Sequence, residues 1–199
     1  MHACFFQTHH TKSIHYSLSK SKTTDNMKQK LIIISGERGE GKTTFLAQIV
    51  QELRKRKLKV GGILALGYWK QGVRDRFEIV NLSDDTSRIY CQRNPVEGWE
   101  KVVHFYINPE GDKFGNQALD TQILKDSDWV IIDEVGPFEL QGKGWATAMQ
   151  KLIRELNKPM IWVVRKSLVD KVIANWKVEN YTVYNIQQYK ADQIALSLI

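Results

Sequence analysis

Leu31-Ile32-Ile33-Ile34-Ser35-Gly36-Glu37-Arg38-Gly39-Glu40-Gly41-Lys42-Thr43-Thr44 runs from an apolar strand signal through a glycine-rich turn into a helical pattern. Residues 36–43 fit GxxxxGK[ST], and the strand at 31–34 with the helical segment at 44–56 supplies the context that pattern requires. The glycines let the backbone curl so that successive N–H groups face inward at the positive end of a helix, a nest for multiply charged phosphate. Lys42 is placed to reach the outer phosphates. The Thr43 hydroxyl is placed to hold Mg²⁺, an ion that keeps several waters and takes one or two protein oxygens beside substrate phosphates. Gly36, Glu37, Arg38, Gly39, Glu40, Gly41, Lys42, Thr43 and Thr44 are therefore the expected nucleotide-binding residues.

Outward from that loop the chain alternates strand and helix signals. An apolar run at 60–66 reads as a buried strand, and Tyr68, Trp69 and Lys70, a Gln71-Gly72 turn and the partly alternating 76–82 together read as a β-hairpin. Short strands are expected at 88–91 and 102–107, a loop at 108–116 and a short helix at 117–125. Later come a helix at 145–156, a strand at 160–164, a helix at 167–176 capped by Ser167, a strand at 181–186 and a terminal helix at 189–199. This order predicts an α/β fold, a mainly parallel central sheet with helices on both faces and an antiparallel hairpin insertion.

The strongest strand signal is Trp129-Val130-Ile131-Ile132-Asp133, apolar on both faces until it ends in a carboxylate, as suits a central parallel strand. Ligands of open α/β sheets sit beyond the carboxyl ends of the strands, so Asp133 and Glu134 should share an edge with the phosphate loop. Asp133 is the expected Walker B partner of Mg²⁺ with Thr43, and Glu134 the expected base that orients or deprotonates an attacking water.

Composition sets wider bounds. A chain of 199 residues with 42% hydrophobic content and six Trp supports one globular domain, placed here at 27–199 behind a disordered extension at 1–26. Met27 would serve as an alternative start, and Cys4, His9, His10 and His15 in the tail match no established zinc framework. With only Cys4 and Cys91, far apart, no disulfide framework is indicated and a reducing cytoplasm is expected. No apolar stretch is long enough to span a bilayer. The net charge of +7 owes most to Arg54, Lys55, Arg56, Lys57 and Lys59, which fall at the C-terminal end of the first helix, where cations complement the helix dipole. Nucleic acid is not the expected partner, since no aromatic platform or DNA-reading motif accompanies them.

The block Ile131-Ile132-Asp133-Glu134-Val135-Gly136-Pro137-Phe138-Glu139-Leu140 resembles the IDEIGxMEL signature of a small P-loop nucleoside-triphosphatase family, the cancer-related nucleoside-triphosphatase-like proteins. Gly61 and Gly62, followed by Arg74, Phe77, Ile79 and Val80, resemble that family's segment after the first helix. The likeness covers most of residues 28–185. It implies a P-loop NTPase fold and Mg²⁺-dependent hydrolysis of ATP, GTP and other nucleoside triphosphates to the diphosphate and phosphate. It also implies that Gly136 and Glu139 belong to the supporting structure of the site. Arg76 in place of a glycine, and Tyr68, Trp69 and Lys70 in place of an acidic segment, depart from the pattern and touch base or partner recognition rather than the phosphate chemistry.

Phosphoryl transfer spreads negative charge over the γ-phosphoryl oxygens, so a further cation is expected. Arg165, ending the strand at 160–164, is the first candidate; Lys143 and Arg74 follow, and Arg38 would cover the phosphates from within the loop. Trp69 or Tyr68 would stack on a base, or else pack at the sheet edge. Two alternatives share the loop: a small-molecule or nucleoside kinase, which needs an acceptor pocket, and a nucleotide-switched adaptor with slow hydrolysis and a protein or RNA partner.

Overall fold

The structure is a computed structural model and describes residues 30–199; the expected extension at 1–26, the alternative start and the tail histidines lie outside the described residues. Its strands are β1 (Leu31–Gly36), β2 (Val60–Lys70), β3 (Val73–Asn81), β4 (Ser87–Gln92), β5 (Glu100–Val102), β6 (Phe105–Ile107), β7 (Trp129–Val135), β8 (Met160–Arg165) and β9 (Tyr181–Asn185). The helices are α1 (Lys42–Lys55), α2 (Pro109–Ala118), α3 (Thr121–Leu124), α4 (Ala146–Glu155), α5 (Val169–Trp176) and α6 (Ala191–Ser197).

All the strands join one sheet in the order β5-β6-β4-β3-β2-β7-β8-β1-β9. From β2 to β9 neighbours run parallel, and from β2 to β5 they alternate as hairpins. The inner strands of the parallel half, β1, β7 and β8, are covered on both faces and are apolar along most of their length, whereas the edge strand β9 is exposed. Ile32, Ile34, Ile131 and Ile161 pack with Leu46, Ile49 and Leu53 of α1 and Ile194 of α6. Ile33, Val130, Ile132 and Trp162 pack on the other face with Leu124, Met149, Leu152 and Val172 of α3, α4 and α5. This is the α/β fold expected, with a larger antiparallel portion than one hairpin.

That extension grows from β2 itself. Its first residues pair with β7, and from Ile63 onward it pairs with β3, so one continuous strand joins the two halves. The Gln71-Gly72 turn closes the hairpin with φ of 49° and 78°, positive at both central residues as the twist of the flanking strands demands. Gly62 stands where β2 meets β7 at φ 103°, and a Cβ there would overlap the carbonyl oxygen of Ile131.

Three expectations are corrected. The segment 108–116 is not a loop: α2 begins at Pro109, with the Asn108 side chain accepting the Glu110 N–H at 3.1 Å, and α3 is separate from it. The single strand at 102–107 is the β5–β6 hairpin, turned at Val103 with φ 55° and 77% exposure. Ser167 is not a cap; it lies in a 3₁₀ turn, Lys166–Leu168, and α5 starts after it with no side-chain cap.

Candidate active site

The loop 36–41 leaves β1 and enters α1 through Gly41, whose φ of 88° and ψ of 24° put it in the left-handed region. A side chain there would meet nothing within 4 Å, so the backbone angle rather than space asks for glycine. No acidic residue occupies the first turn of α1, which leaves its positive end free to receive an anion. The Glu37 N–H donates to the Glu40 carboxylate at 2.6 Å, and Lys42 Nζ folds back to donate to the Glu37 carbonyl at 2.7 Å. Lys42 is buried, and desolvation lowers its pKa; the Glu134 and Asp133 carboxylates oppose that shift and the Arg165 guanidinium adds to it. These four groups therefore lie within electrostatic reach of one another. The loop's other members, Arg38, Gly39 and Thr44, are exposed around this cradle, and Gly36 is buried at its base.

The acidic pair occupies a β-bulge. Ile132 pairs with Trp162 of β8 and the next register partners are Val135 and Val164, so Asp133 and Glu134 together face the single residue Val163. Glu134 takes φ 59°, a left-handed angle that costs a side-chain-bearing residue energy and recurs at functional sites. The bulge turns two neighbouring carboxylates to different surroundings. Asp133 is 0% exposed and accepts the Ala65 N–H at 3.1 Å and the Glu134 N–H at 2.9 Å. The Thr43 hydroxyl favours the charged form of the same carboxylate, so the start of α1 lies close to the end of β7. Burial and the Glu134 charge push the Asp133 carboxyl up, while those three groups pull it down. Glu134 stays exposed.

Thr43 and Asp133 thus present a hydroxyl and a carboxylate side by side, hard oxygen donors of the kind Mg²⁺ takes in small number while retaining water. Beyond the bulge, Glu139 is 4% exposed and its carboxylate accepts the Gly136 N–H at 2.9 Å. Burial drives its pKa up to about 7 despite further backbone donors at Glu139 and Trp145.

Of the candidate cations, Arg165 ends β8 opposite Gly36 and lines the same cavity as Lys42, Glu134, Arg38 and Lys143. Arg74 does not reach it: its guanidinium lies 4.4 Å over the Trp69 ring and 5.2 Å from that of Phe77. Trp69 is 60% exposed on the hairpin and outside the cavity lining. The basic run after α1 is partly neutralised, Arg54 pairing with Asp85 at 2.8 Å and Lys55 and Arg56 with Glu52.

The cavity itself, about 540 Å³, was not legible as one feature in the sequence. Phe77 and Ile79 of β3, Cys91 of β4 and Phe105 and Ile107 of β6 contribute to it, with Tyr90, Phe138 and Trp145. The alternation along β3 was a signal for an inward face; that several short strands share it depends on their pairing.

The family model described as NTPase matches residues 31–199. A nucleoside-triphosphatase THEP1 from Pyrococcus abyssi is 32% identical over 139 residues, covering 69% of this chain and 75% of that protein. Another from Ignicoccus hospitalis is 34% identical over 140 residues, covering 70% and 78%. Among solved structures, THEP1 from the hyperthermophile Aquifex aeolicus superposes with a TM-score of 0.64 at 19% identity, covering 85% of this chain and 99% of that one. A human cancer-related nucleoside triphosphatase gives 0.62 at 18%, covering 85% and 95%, and both share the fold. The chain belongs to the NTPase family, the nucleoside-triphosphatases its 131–140 block resembles.

Proposed function

We propose that this chain hydrolyses nucleoside triphosphates, ATP and GTP among them, to the diphosphate and phosphate at the edge where β1, β7 and β8 end, with residues 27–199 as the catalytic unit and Mg²⁺ as the cofactor. The observation that carries the reading is one cavity lined by Arg38 and Lys42 of the loop and α1, Glu134 of β7 and Arg165 of β8, which sets the anion cradle of α1 against the acidic end of β7. Thr43 and Asp133 would hold the ion, which when bound neutralises charge on the phosphate oxygens. Residues 36–44 bind the triphosphate through backbone N–H groups, with Lys42 on its outer phosphates.

Glu134, exposed beside that buried pair, orients the attacking water and takes its proton. Arg165 and Arg38 face the same cavity and offset the charge that spreads over the γ-phosphoryl oxygens. Cytoplasmic residence belongs to the same proposal and is supported by the free, buried thiol of Cys91. Among the described residues no helix is long and apolar enough to cross a membrane.

The test separates binding from turnover. Lys42→Ala is expected to lose nucleotide binding. Glu134→Gln keeps the shape of the site and is expected to bind nucleotide while phosphate release falls about 10²- to 10⁴-fold, the usual worth of a positioned base. Undiminished release by Glu134→Gln would remove that residue from its role.

A further inference from the structure

The cavity begins at the phosphate cradle and the end of β8, where Lys42, Val163 and Arg165 line it, and extends over β2, β3, β4 and β6, on the far side of β7 from β1 and β9. A triphosphate seated on the loop after β1, with its terminal phosphoryl at Asp133 and Glu134 of β7, runs along the sheet edge from β1 across β8 to β7, and β2, β3, β4 and β6 lie beyond β7 on that line. The cavity therefore faces the reacting phosphoryl group from the side of the incoming nucleophile. Its volume of about 540 Å³ includes the phosphate side at Arg38, Lys42 and Arg165, and its aromatic part beyond Glu134 leaves more room than one attacking water needs, roughly 30 Å³ of liquid.

Its walls specify a kind of guest. Phe77 and Phe105 meet edge-on with ring centroids 5.4 Å apart, and Tyr90 and Trp145 tilt together at 5.1 Å. Phe138 adds another ring, with the Lys143 ammonium 5.7 Å from its centroid. Guanidinium groups of Arg74 and Arg93 lie 5.2 and 5.3 Å from the Phe77 and Phe105 centroids, so these rings present their edges and opposite faces to a flat guest. Arg38, Lys143 and Arg165 in the lining repel a cationic guest. Glu134 is the exposed carboxylate between the cavity and the cradle.

We infer that this cavity is an acceptor site: it binds a flat, uncharged aromatic or heteroaromatic alcohol whose hydroxyl takes the terminal phosphoryl group in place of water. The inference rests on the nucleotide reading above and deepens it. In the transfer, the acceptor oxygen forms a bond to the γ-phosphorus while the bond from that phosphorus to the β,γ-bridging oxygen breaks. The electron pair of the broken bond leaves with the nucleoside diphosphate. The hydroxyl proton passes to the Glu134 carboxylate and then to solvent. Hydrolysis is the same displacement with water, so the two reactions compete for one phosphoryl group, and an acceptor held against it outruns bulk solvent by proximity.

The experiment uses the full chain, Mg²⁺ and ATP labelled on the γ-phosphorus, with adenosine, guanosine, cytidine, uridine, benzyl alcohol and naphthalenemethanol as separate acceptors. The expected result is a labelled phosphate ester from at least one ring alcohol, formed at the expense of free phosphate. Calorimetry should also show that alcohol binding to the nucleotide-free protein. Phe77→Ala, which removes a wall, and Cys91→Trp, which fills the floor, should each lower the ratio of ester to free phosphate about tenfold. Absence of ester from every alcohol while nucleoside diphosphate still accumulates overturns the acceptor site and leaves the hydrolase reading intact. A ratio unmoved by Phe77→Ala also overturns it. Failure of nucleotide binding and of diphosphate formation together would instead refute the reading beneath it.

Discussion

Glu139 offers the sharpest link between burial, pH and the geometry of the acidic bulge. Its carboxyl is 4% exposed, and burial raises its pKa to about 7 from the ordinary 4.5 of a free glutamate. The Glu134 charge raises it further, while backbone N–H groups at Gly136, Glu139 and Trp145 oppose the shift. A carboxyl whose folded pKa exceeds its unfolded one takes up a proton on folding, so its contribution is full below pH 4.5 and lost as pH rises through about 7. A gap of about 2.5 units at 1.36 kcal/mol each makes this on the order of 3 kcal/mol. Urea unfolding of the wild type and Glu139→Gln across this range isolates the effect. The amide keeps an oxygen for the Gly136 N–H and cannot titrate, so the stability of the wild type relative to the variant should decline from pH 4.5 toward pH 8. A constant difference across that range would refute the assignment of a buried, proton-binding carboxyl at 139. Glu139→Ala, by contrast, leaves the Gly136 N–H unpaired and should cost about 1–3 kcal/mol at all pH values from that loss alone.

Two glycine substitutions separate strain from space. Gly41→Ala meets an unfavourable φ but open surroundings, and should cost about 1–2 kcal/mol by thermal unfolding. Gly62→Ala adds overlap with the Ile131 carbonyl, forces β2 and β7 apart and should cost 4 kcal/mol or more, a Tm loss of about 8–16 °C; a loss no larger than that of Gly41→Ala would refute the close approach. Cys91, buried and pushed up to about 12, should react with a disulfide reagent at pH 8 orders of magnitude more slowly in the folded chain than in denaturant, measured in a Cys4→Ser background. Equal rates would place the thiol in solvent.

The parts of this molecule written in local pattern were legible from sequence. The apolar runs of β1, β7 and β8 are buried on both faces, and the phosphate loop declares itself by glycine spacing. Where the sequence misled, the packing surface was made of backbone or the conformation was atypical of its residue. α2 hides because the face it buries carries Gly111 and Gly115 instead of large apolar side chains. A Cβ at Gly111 would overlap the Ile89 carbonyl, and one at Gly115 would stand 2.5 Å from the Trp145 ring. Asn108 before Pro109 was the surviving signal, a cap followed by the residue favoured at a first helical position. The β5–β6 turn hides because a β-branched Val103 holds its positive φ. The bulge at Asp133 and Glu134 could not be read from β7 alone, since two residues against one is a relation between β7 and β8.

That relation bears on how the site is built. β7 is fixed on one side by β8 and on the other by β2, and β2 continues without interruption into the antiparallel half whose strands line the cavity. Ala65 shows the connection at atomic scale: its N–H donates to Asp133, and the same residue lines the cavity. A shift of β2 is therefore felt at the buried carboxylate and at the cavity wall together. The phosphate cradle is built chiefly on backbone geometry at the start of α1, with Gly41 in the left-handed region. The opposite wall depends on the identity of Phe77, Phe105, Phe138 and Trp145, so substitutions there should alter which nucleophile reaches the phosphorus while leaving the cradle's grip on the triphosphate in place.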